Sequence, residues 1–444
     1  MTAGIKAIRG AALTFTGNPF QVEDEQFVRH ESDALIIMEG GVITAFGDYA
    51  ATRDRLPAGT EVTTYTDALI LPGFIDTHVH YSQTQIIGAH GKQLIDWLSN
   101  YAYIAEQQFS SLEHGREVAK VFLRECVRAG TTTAMVYCTV YPQSVDAFFE
   151  EAEKINVRMI AGKVLMDRHA PPALLDTPRT GYDDSKALLQ KWHKRGRQLY
   201  CITPRFAPTS SPEQMEMAGA LWKEYPDAYL QSHVSEHRDE VAAVRRLFPE
   251  RSGYLDVYDH YGQLGPRSVL GHGIHLTESE LARCHETGTA IAHCPTSNLF
   301  LGSGCLNVDN LQRADRPVRV GLATDLGAGT SFSQLQTMNE AYKVAQLNGN
   351  ALSAWHAYYM ATRGAANALY LDDTIGSIEE NLEADLMVLD LRSTPLIEYR
   401  MRYCKSLEES LFIQMTLADD RATRATYVAG ELVYDRDRDQ PHSF

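Results

Sequence analysis

Leu71-Pro-Gly-Phe-Ile-Asp-Thr-His78-Val-His80 is a short, mostly apolar run that ends in two histidines. Such a run after a Pro-Gly break reads as a buried strand. Side chains two apart on a strand share a face, so His78 and His80 can reach one metal ion, and imidazole suits zinc and similar cations. Two polar residues closing a strand are the plainer alternative, and this motif alone leaves both open. Three distant segments repeat its form: Leu230-Gln-Ser-His233-Val-Ser-Glu236, Val269-Leu-Gly-His272-Gly-Ile-His275 and Val320-Gly-Leu-Ala-Thr-Asp325. Residues so far apart in sequence converge when parallel strands end on one side, as at the C-terminal mouth of an α/β barrel. In that arrangement His78, His80, His233, His272 and Asp325 form one metal centre with a position left open for water. His275 is odd-spaced from His272, so both cannot face the barrel centre on one regular strand.

Outward from these segments, short apolar strands alternate with helical patterns, the signature of a parallel α/β fold. Eight strands are expected, ending near His80, Thr139, Asp167, Phe206, Glu236, Leu276, Ser297 and Asp325. Helical stretches at 118–128, 144–155, 211–224, 238–247 and 278–286 separate them. The third has a full start signal, with Ser211 as cap, Pro212 in the first turn and Glu213 at the positive dipole end. Eight such units predict a (β/α)8 TIM-type barrel. Both chain ends read as β-structure. Residues 34–39 and 42–46 flank Gly40-Gly41, residues 384–390 form a further strand, and 426–428 and 432–434 bracket Ala429-Gly430-Glu431. A lone hairpin buries no core, so the ends are expected to fold together. The predicted domains are a small β-sandwich from 1–69 and 376–444, and an inserted barrel over 70–375.

The chain has 444 residues, with 41 Lys+Arg against 57 Asp+Glu and a formal net charge of −16. That balance argues against a nucleic-acid polymer or an anionic membrane as partner. No apolar run approaches the ~18 residues of a membrane span, and residues 1–10 lack the apolar core of a secretion signal. Seven cysteines without a C-x-x-C read as reduced thiols of a cytoplasmic protein. No G-x-G-x-x-G or P-loop opens a helix, so a dinucleotide or ATP site has no support. The H-x-E with P-C-x-x-C signature of the cytidine-deaminase type of zinc site is absent as well.

His-x-His on the first strand, His on the fifth and sixth and Asp on the eighth resemble the amidohydrolase superfamily. The resemblance implies a distorted (β/α)8 barrel beside a β-sandwich built from both termini. Binuclear members carry a carboxylated lysine on the fourth strand; residues 198–206 hold no lysine, and Lys163 falls on the third. With His233-x-x-Glu236, the chain is similar to the mononuclear metal-dependent deaminase branch. His80-Tyr-Ser-Gln83, Gln93-Leu-Ile-Asp-Trp97, Thr203-Pro-Arg205-Phe206, His293-Cys-Pro-Thr-Ser-Asn298 and Thr324-Asp325-Leu-Gly-Ala-Gly-Thr330 resemble those members of the branch that act on guanine. The likeness runs essentially end to end, with His237 a departure from an expected asparagine.

The resemblance implies hydrolytic deamination of guanine to xanthine and ammonia, with one Zn2+ per subunit (Fe2+ being the other possible ion) and a homodimer. It also implies roles. Asp325 contacts metal and water, Glu236 protonates the purine ring nitrogen and then the leaving amine, and Gln83 and Arg205 hold the O6/N1 side. Phe206 packs on the ring and Trp97 helps close the pocket, with 86–109 as the lid segment. Plainer readings stand beside these: Glu236 in a rim salt bridge, Arg205 paired to a carboxylate, Trp97 as a core residue. His293 is either a hydrogen-bonding neighbour of the site or a core residue. Two other functions fit the same scaffold, deamination of another aminated heterocycle (a modified purine, pterin or triazine) and a non-catalytic scaffold protein.

Overall fold

The computed structural model describes residues 4–22, 25–91 and 93–438. Residues 1–3, position 92 of the expected lid and the last six positions of the C-terminal unit lie outside them. Eight parallel strands run round one sheet in chain order: Phe74–His80, Thr131–Tyr137, Arg158–Gly162, Leu199–Pro204, Tyr229–Val234, Ser268–His272, Ala290–His293 and Val320–Leu322; a ninth, short strand Val164–Leu165 pairs with Leu199–Pro204. The first and last strands meet through Asp325 N–H donating to the His78 carbonyl at 2.9 Å and His80 N–H donating to the Leu326 carbonyl at 3.1 Å. These bonds close the barrel at the level of the histidines. The strands are buried on both faces, which is why they read as apolar runs rather than alternations. Ile75, Met135, Ile160, Cys201, Tyr229 and Val269 fill the interior.

The strands end two to four residues before most of the expected positions, because the polar residues that marked those ends sit in the loops. Helices Leu112–Arg128, Pro142–Lys154, Pro212–Glu224, Arg238–Leu247 and Glu278–Thr287 cover the outside, close to the expected stretches. Ser211 caps its helix by accepting from Gln214 N–H, with Pro212 at the first helical position. His237, the departure noted above, caps the helix Arg238–Leu247, its Nδ1 accepting from Asp239 N–H.

Strands from both ends of the chain form a second sheet of seven strands. Two of them, Lys6–Phe15 and Val62–Pro72, were not anticipated. Gly40 and Gly41 both hold positive φ, 62° and 89°, as a two-residue primed turn requires. The sandwich expectation resolves into one curled sheet. Its edge strand Val42–Asp48 bonds back to 381–384 through Ile43 N–H to the Leu382 carbonyl and Asn381 N–H to the Ile43 carbonyl. Ile8, Ile36, Ile43, Ile70, Val388 and Tyr427 pack inside the curl. Among the described residues no helix is long and apolar enough to cross a membrane.

Candidate active site

The sites of interest all stand at the C-terminal mouth of the barrel. His78 and His80 point inward from the first strand and are 1% and 3% exposed. Tyr229, Gln231 and His233 alternate inward from the fifth, and the His233 Nε2 comes within 3.2 Å of the His80 Nε2. Asp325 lies three residues beyond the eighth strand. Its Oδ1 is 3.4 Å from His78 Nε2 and 3.5 Å from His80 Nε2. One donor atom from each of His78, His80, His233 and Asp325 lies within 4.8 Å of every other.

These atoms fit a cation. His233 Nδ1 is 2.7 Å from the Arg205 carbonyl, which only accepts, so the proton is on Nδ1 and the Nε2 lone pair faces the cluster. His78 Nε2 is buried without a hydrogen-bond partner. Burial pushes the His78, His80 and His233 rings below the usual imidazole range, which leaves them neutral. Three neutral nitrogens and a carboxylate are the donor types a zinc-like ion takes.

His272 lies outside that group of four, although its Nε2, like that of His78, is buried without a hydrogen-bond partner. Its Nε2 is 3.5 Å from Glu236 Oε2 and 3.7 Å from Asp325 Oδ2, and it falls in a second cluster with His78, Cys294 and Asp325. Burial lowers its pKa, but the charges of Glu236 and Asp325 outweigh burial and raise it overall, the reverse of the other three rings. Its Nδ1 is 2.8 Å from Asn298 Oδ1, the last residue of the His293-Cys-Pro-Thr-Ser-Asn298 motif. Glu236 is 3% exposed, its Oε1 accepts from Ser303 Oγ at 3.0 Å, and burial raises its pKa.

A pocket opens over these groups. It is lined by His80, Gln83, Trp97, Arg205, Phe206, His233, Glu236, His272 and Asp325, together with Leu94, Leu98, Leu301 and Ala328. His78 lies behind this lining. Arg205 does pair with a carboxylate, Glu106 Oε2 at 2.6 Å, but at 3% exposure it belongs to the pocket wall and not to the rim. Trp97 is both pocket and core: it is 2% exposed, packs with Leu94, Phe206 and Leu301, and donates from Nε1 to the Ala89 carbonyl. His275 turns away, its Nε2 3.1 Å from the Ser303 carbonyl. His293 is fully buried with neither ring nitrogen partnered, and burial pushes it down to about 3.

Three contributors are not marked by any motif quoted from the sequence: Glu106, Ser303 and Glu240; Asn298 is marked, as the end of the His293-Cys-Pro-Thr-Ser-Asn298 motif, though without a role. Glu240 accepts from the backbone N–H of Glu236 and of His237, and so fixes the turn that carries Glu236. Its position at the third residue of a helix after a polar cap is a capping-box signal, visible in His237-Arg-Asp-Glu240.

The family model for the amidohydrolase family matches residues 69–433. The chain is 48% identical over 435 residues to the guanine deaminase of Escherichia coli strain K12, covering 97% of this chain and 98% of that one. A solved structure of E. coli guanine deaminase superposes with a TM-score of 0.94 over 97% of this chain and 100% of that one. A guanine deaminase from C. acetobutylicum, solved with guanine bound in its active site, is 27% identical with a TM-score of 0.85, over 97% of this chain and 100% of that one.

Proposed function

We propose that this chain, which belongs to the amidohydrolase family, hydrolyses guanine to xanthine and ammonia. The observation that carries this reading is one pocket. It joins a cation-shaped cluster to a buried carboxyl, Glu236, and two buried polar groups, Gln83 and Arg205. The likeness to guanine deaminases, one of them holding guanine, supports the choice of base.

His78, His80, His233 and Asp325 would hold one divalent ion per subunit. Zinc suits the donors best, and ferrous iron fits them too. A bound ion of that kind supplies Lewis acidity, which brings the deprotonation of water towards neutral pH. The reaction forms a bond from a water oxygen to the ring carbon that bears the amine. It places one proton on the neighbouring ring nitrogen and expels the amine with another as ammonia, and xanthine keeps the oxygen.

Glu236 is suited to carry those protons, since burial favours its protonated form and Ser303 fixes one of its oxygens. Asp325 presents Oδ1 to His78 and His80 and Oδ2 to His272, so one carboxylate can serve the ion on one side and take a proton from water on the other. We assign His272 to holding the proton between Glu236 and Asp325, in place of the fifth ligand role expected from sequence. Gln83 and Arg205 face the C6 carbonyl side of the base. A purine with an amine there would leave their buried donors unpaired. Phe206 and Trp97 pack against the ring.

Incubation with guanine, with xanthine and ammonia followed in the presence and absence of a chelator, tests the reading. Both products should appear, vanish on chelation and return with zinc; no xanthine from the metal-loaded protein would refute it. Relative rates on 8-oxoguanine, adenine and cytosine separate guanine from other heterocycles. A homodimer is proposed on the exposed Leu396, Tyr399 and Tyr403 of the C-terminal helical region, 63%, 55% and 60% exposed. A cytoplasmic location is proposed on the seven unpaired cysteines.

A further inference from the structure

Glu106 belongs to no motif that the sequence singles out, yet it is 1% exposed behind the pocket wall. It sits on the short helix Tyr103–Gln107, between the first barrel strand and the helix Leu112–Arg128. Its two oxygens take different partners: Arg205 Nη1 donates to Oε2 at 2.6 Å, and Gln83 Nε2 donates to Oε1 at 3.3 Å. Tyr103, on the same helix, lays its ring 5.4 Å from the Arg205 guanidinium. One carboxylate thus bridges the two side chains that face the base.

The bridge fixes what each partner can present. A carboxylate accepts and does not donate, so Gln83 must turn its amide nitrogen to Glu106, and its Oε1 then faces the Gly327 N–H at 3.5 Å. The guanidinium is a rigid planar fork, so pinning Nη1 sets the direction of its remaining N–H groups. With Arg205 at 3% and Gln83 at 2% exposure, neither side chain has much contact with solvent, and the bridge sets how each is turned.

We propose that Glu106 is a specificity-positioning residue, which aims Gln83 and Arg205 at a purine bearing an oxygen at C6 and ties base selection to the docking of its own segment. Glu106 is outside the pocket lining and the cation cluster, so its effect on turnover acts through Arg205 and Gln83. The proposal rests on the guanine reading above.

The test compares guanine with 2-aminopurine, which keeps the reacting carbon and its amine but has hydrogen in place of O6. In Glu106→Gln, kcat/KM for guanine should fall about 100-fold, because an amide cannot accept from both donors and leaves one unpaired. The value for 2-aminopurine should change by less than about threefold, and metal content and Tm should stay near those of the parent. Equal losses on the two bases would overturn the proposal. Glu106→Gln made in an Arg205→Met background replaces both charges and avoids a stranded guanidinium. There it should cost guanine kcat/KM less than about threefold relative to Arg205→Met alone, and a further large loss would overturn the proposal even if the single variant does not fold. Failure of the parent protein to deaminate guanine would sink the functional reading; a parent active on guanine with a Glu106→Gln of unchanged kcat/KM would sink this one alone.

Discussion

His272, Asp325 and Ser235 hold left-handed backbone, at φ of 72°, 47° and 49°. Each left-handed non-glycine residue costs about 1–3 kcal/mol, and such residues cluster where function constrains the chain. Gly271 explains the first of them. The inward position of the sixth strand belongs to Gly271, where a Cβ would lie 2.6 Å from the His78 ring. A regular strand would then turn His272 outward, and its positive φ brings the ring back over the site. Gly271→Ala should therefore displace His78 and weaken metal binding about 10–100-fold, read by zinc titration, with the barrel still folded by circular dichroism. His272→Asn separates two roles: the zinc content should match the parent while kcat falls about 100-fold or more, and loss of the metal would return His272 to the ligand set. Glu236→Gln should likewise keep its metal and lose turnover. The histidines and Asp325 were legible because each follows an apolar strand run. Ser303 and Glu106 were not, since a lone serine in a Gly-rich loop or a lone acid in a helix carries no periodic signal.

Between the first barrel strand and the helix Leu112–Arg128, the chain is built from short turns. A 3-10 turn Tyr81–Ile86 leads to the helix Leu94–Trp97, a π-turn Leu98–Ala102, the helix Tyr103–Gln107 and a 3-10 turn Gln108–Ser110. Changing from one helical period to another every few residues erases the periodicity that marks a long helix. That is why residues 86–109 read only as a long loop with a possible closing role. The missed strand Lys6–Phe15 has the same kind of cause, since its pairing shifts register between Gly10 and Ala12 and breaks the alternation. The segment supplies Trp97 to the pocket and Glu106 behind its wall, so it shapes the site through both. Trp97→Ala should raise KM for guanine roughly tenfold or more, on about 1–3 kcal/mol for an aromatic surface lost from a bound base. Steady-state kinetics check this, and an unchanged KM would confine Trp97 to the core.

The barrel and the terminal sheet are joined by buried charge as well as by packing. Arg158 opens the third barrel strand and Arg197 precedes the fourth, and both donate to Glu383, just ahead of the C-terminal strand Leu386–Asp390. Arg197 Nη2 also donates to Asp385 Oδ2 at 2.5 Å, and Asp385 is 4% exposed. Strands at both termini are legible in the sequence, but this joint is not, because its four charges lie in three segments with no shared spacing. Burial would raise the pKa of Glu383, but hydrogen bonds and charge from Arg158 and Arg197 outweigh it and lower the value overall. A carboxylate depressed in the folded state stabilises the fold above its unfolded pKa of about 4.3, and that contribution fades as pH falls through the lower folded value. Arg197→Met leaves Asp385 and Glu383 short of a partner, which should cost about 3–5 kcal/mol at pH 7. The deficit should shrink as pH falls below about 4.3, where the unfolded chain takes up the proton before folded Glu383 does. Urea unfolding of parent and variant at pH 7 and pH 3.5 measures both, and a deficit of the same size at the two pH values would show that Arg197 holds the two units together by packing alone.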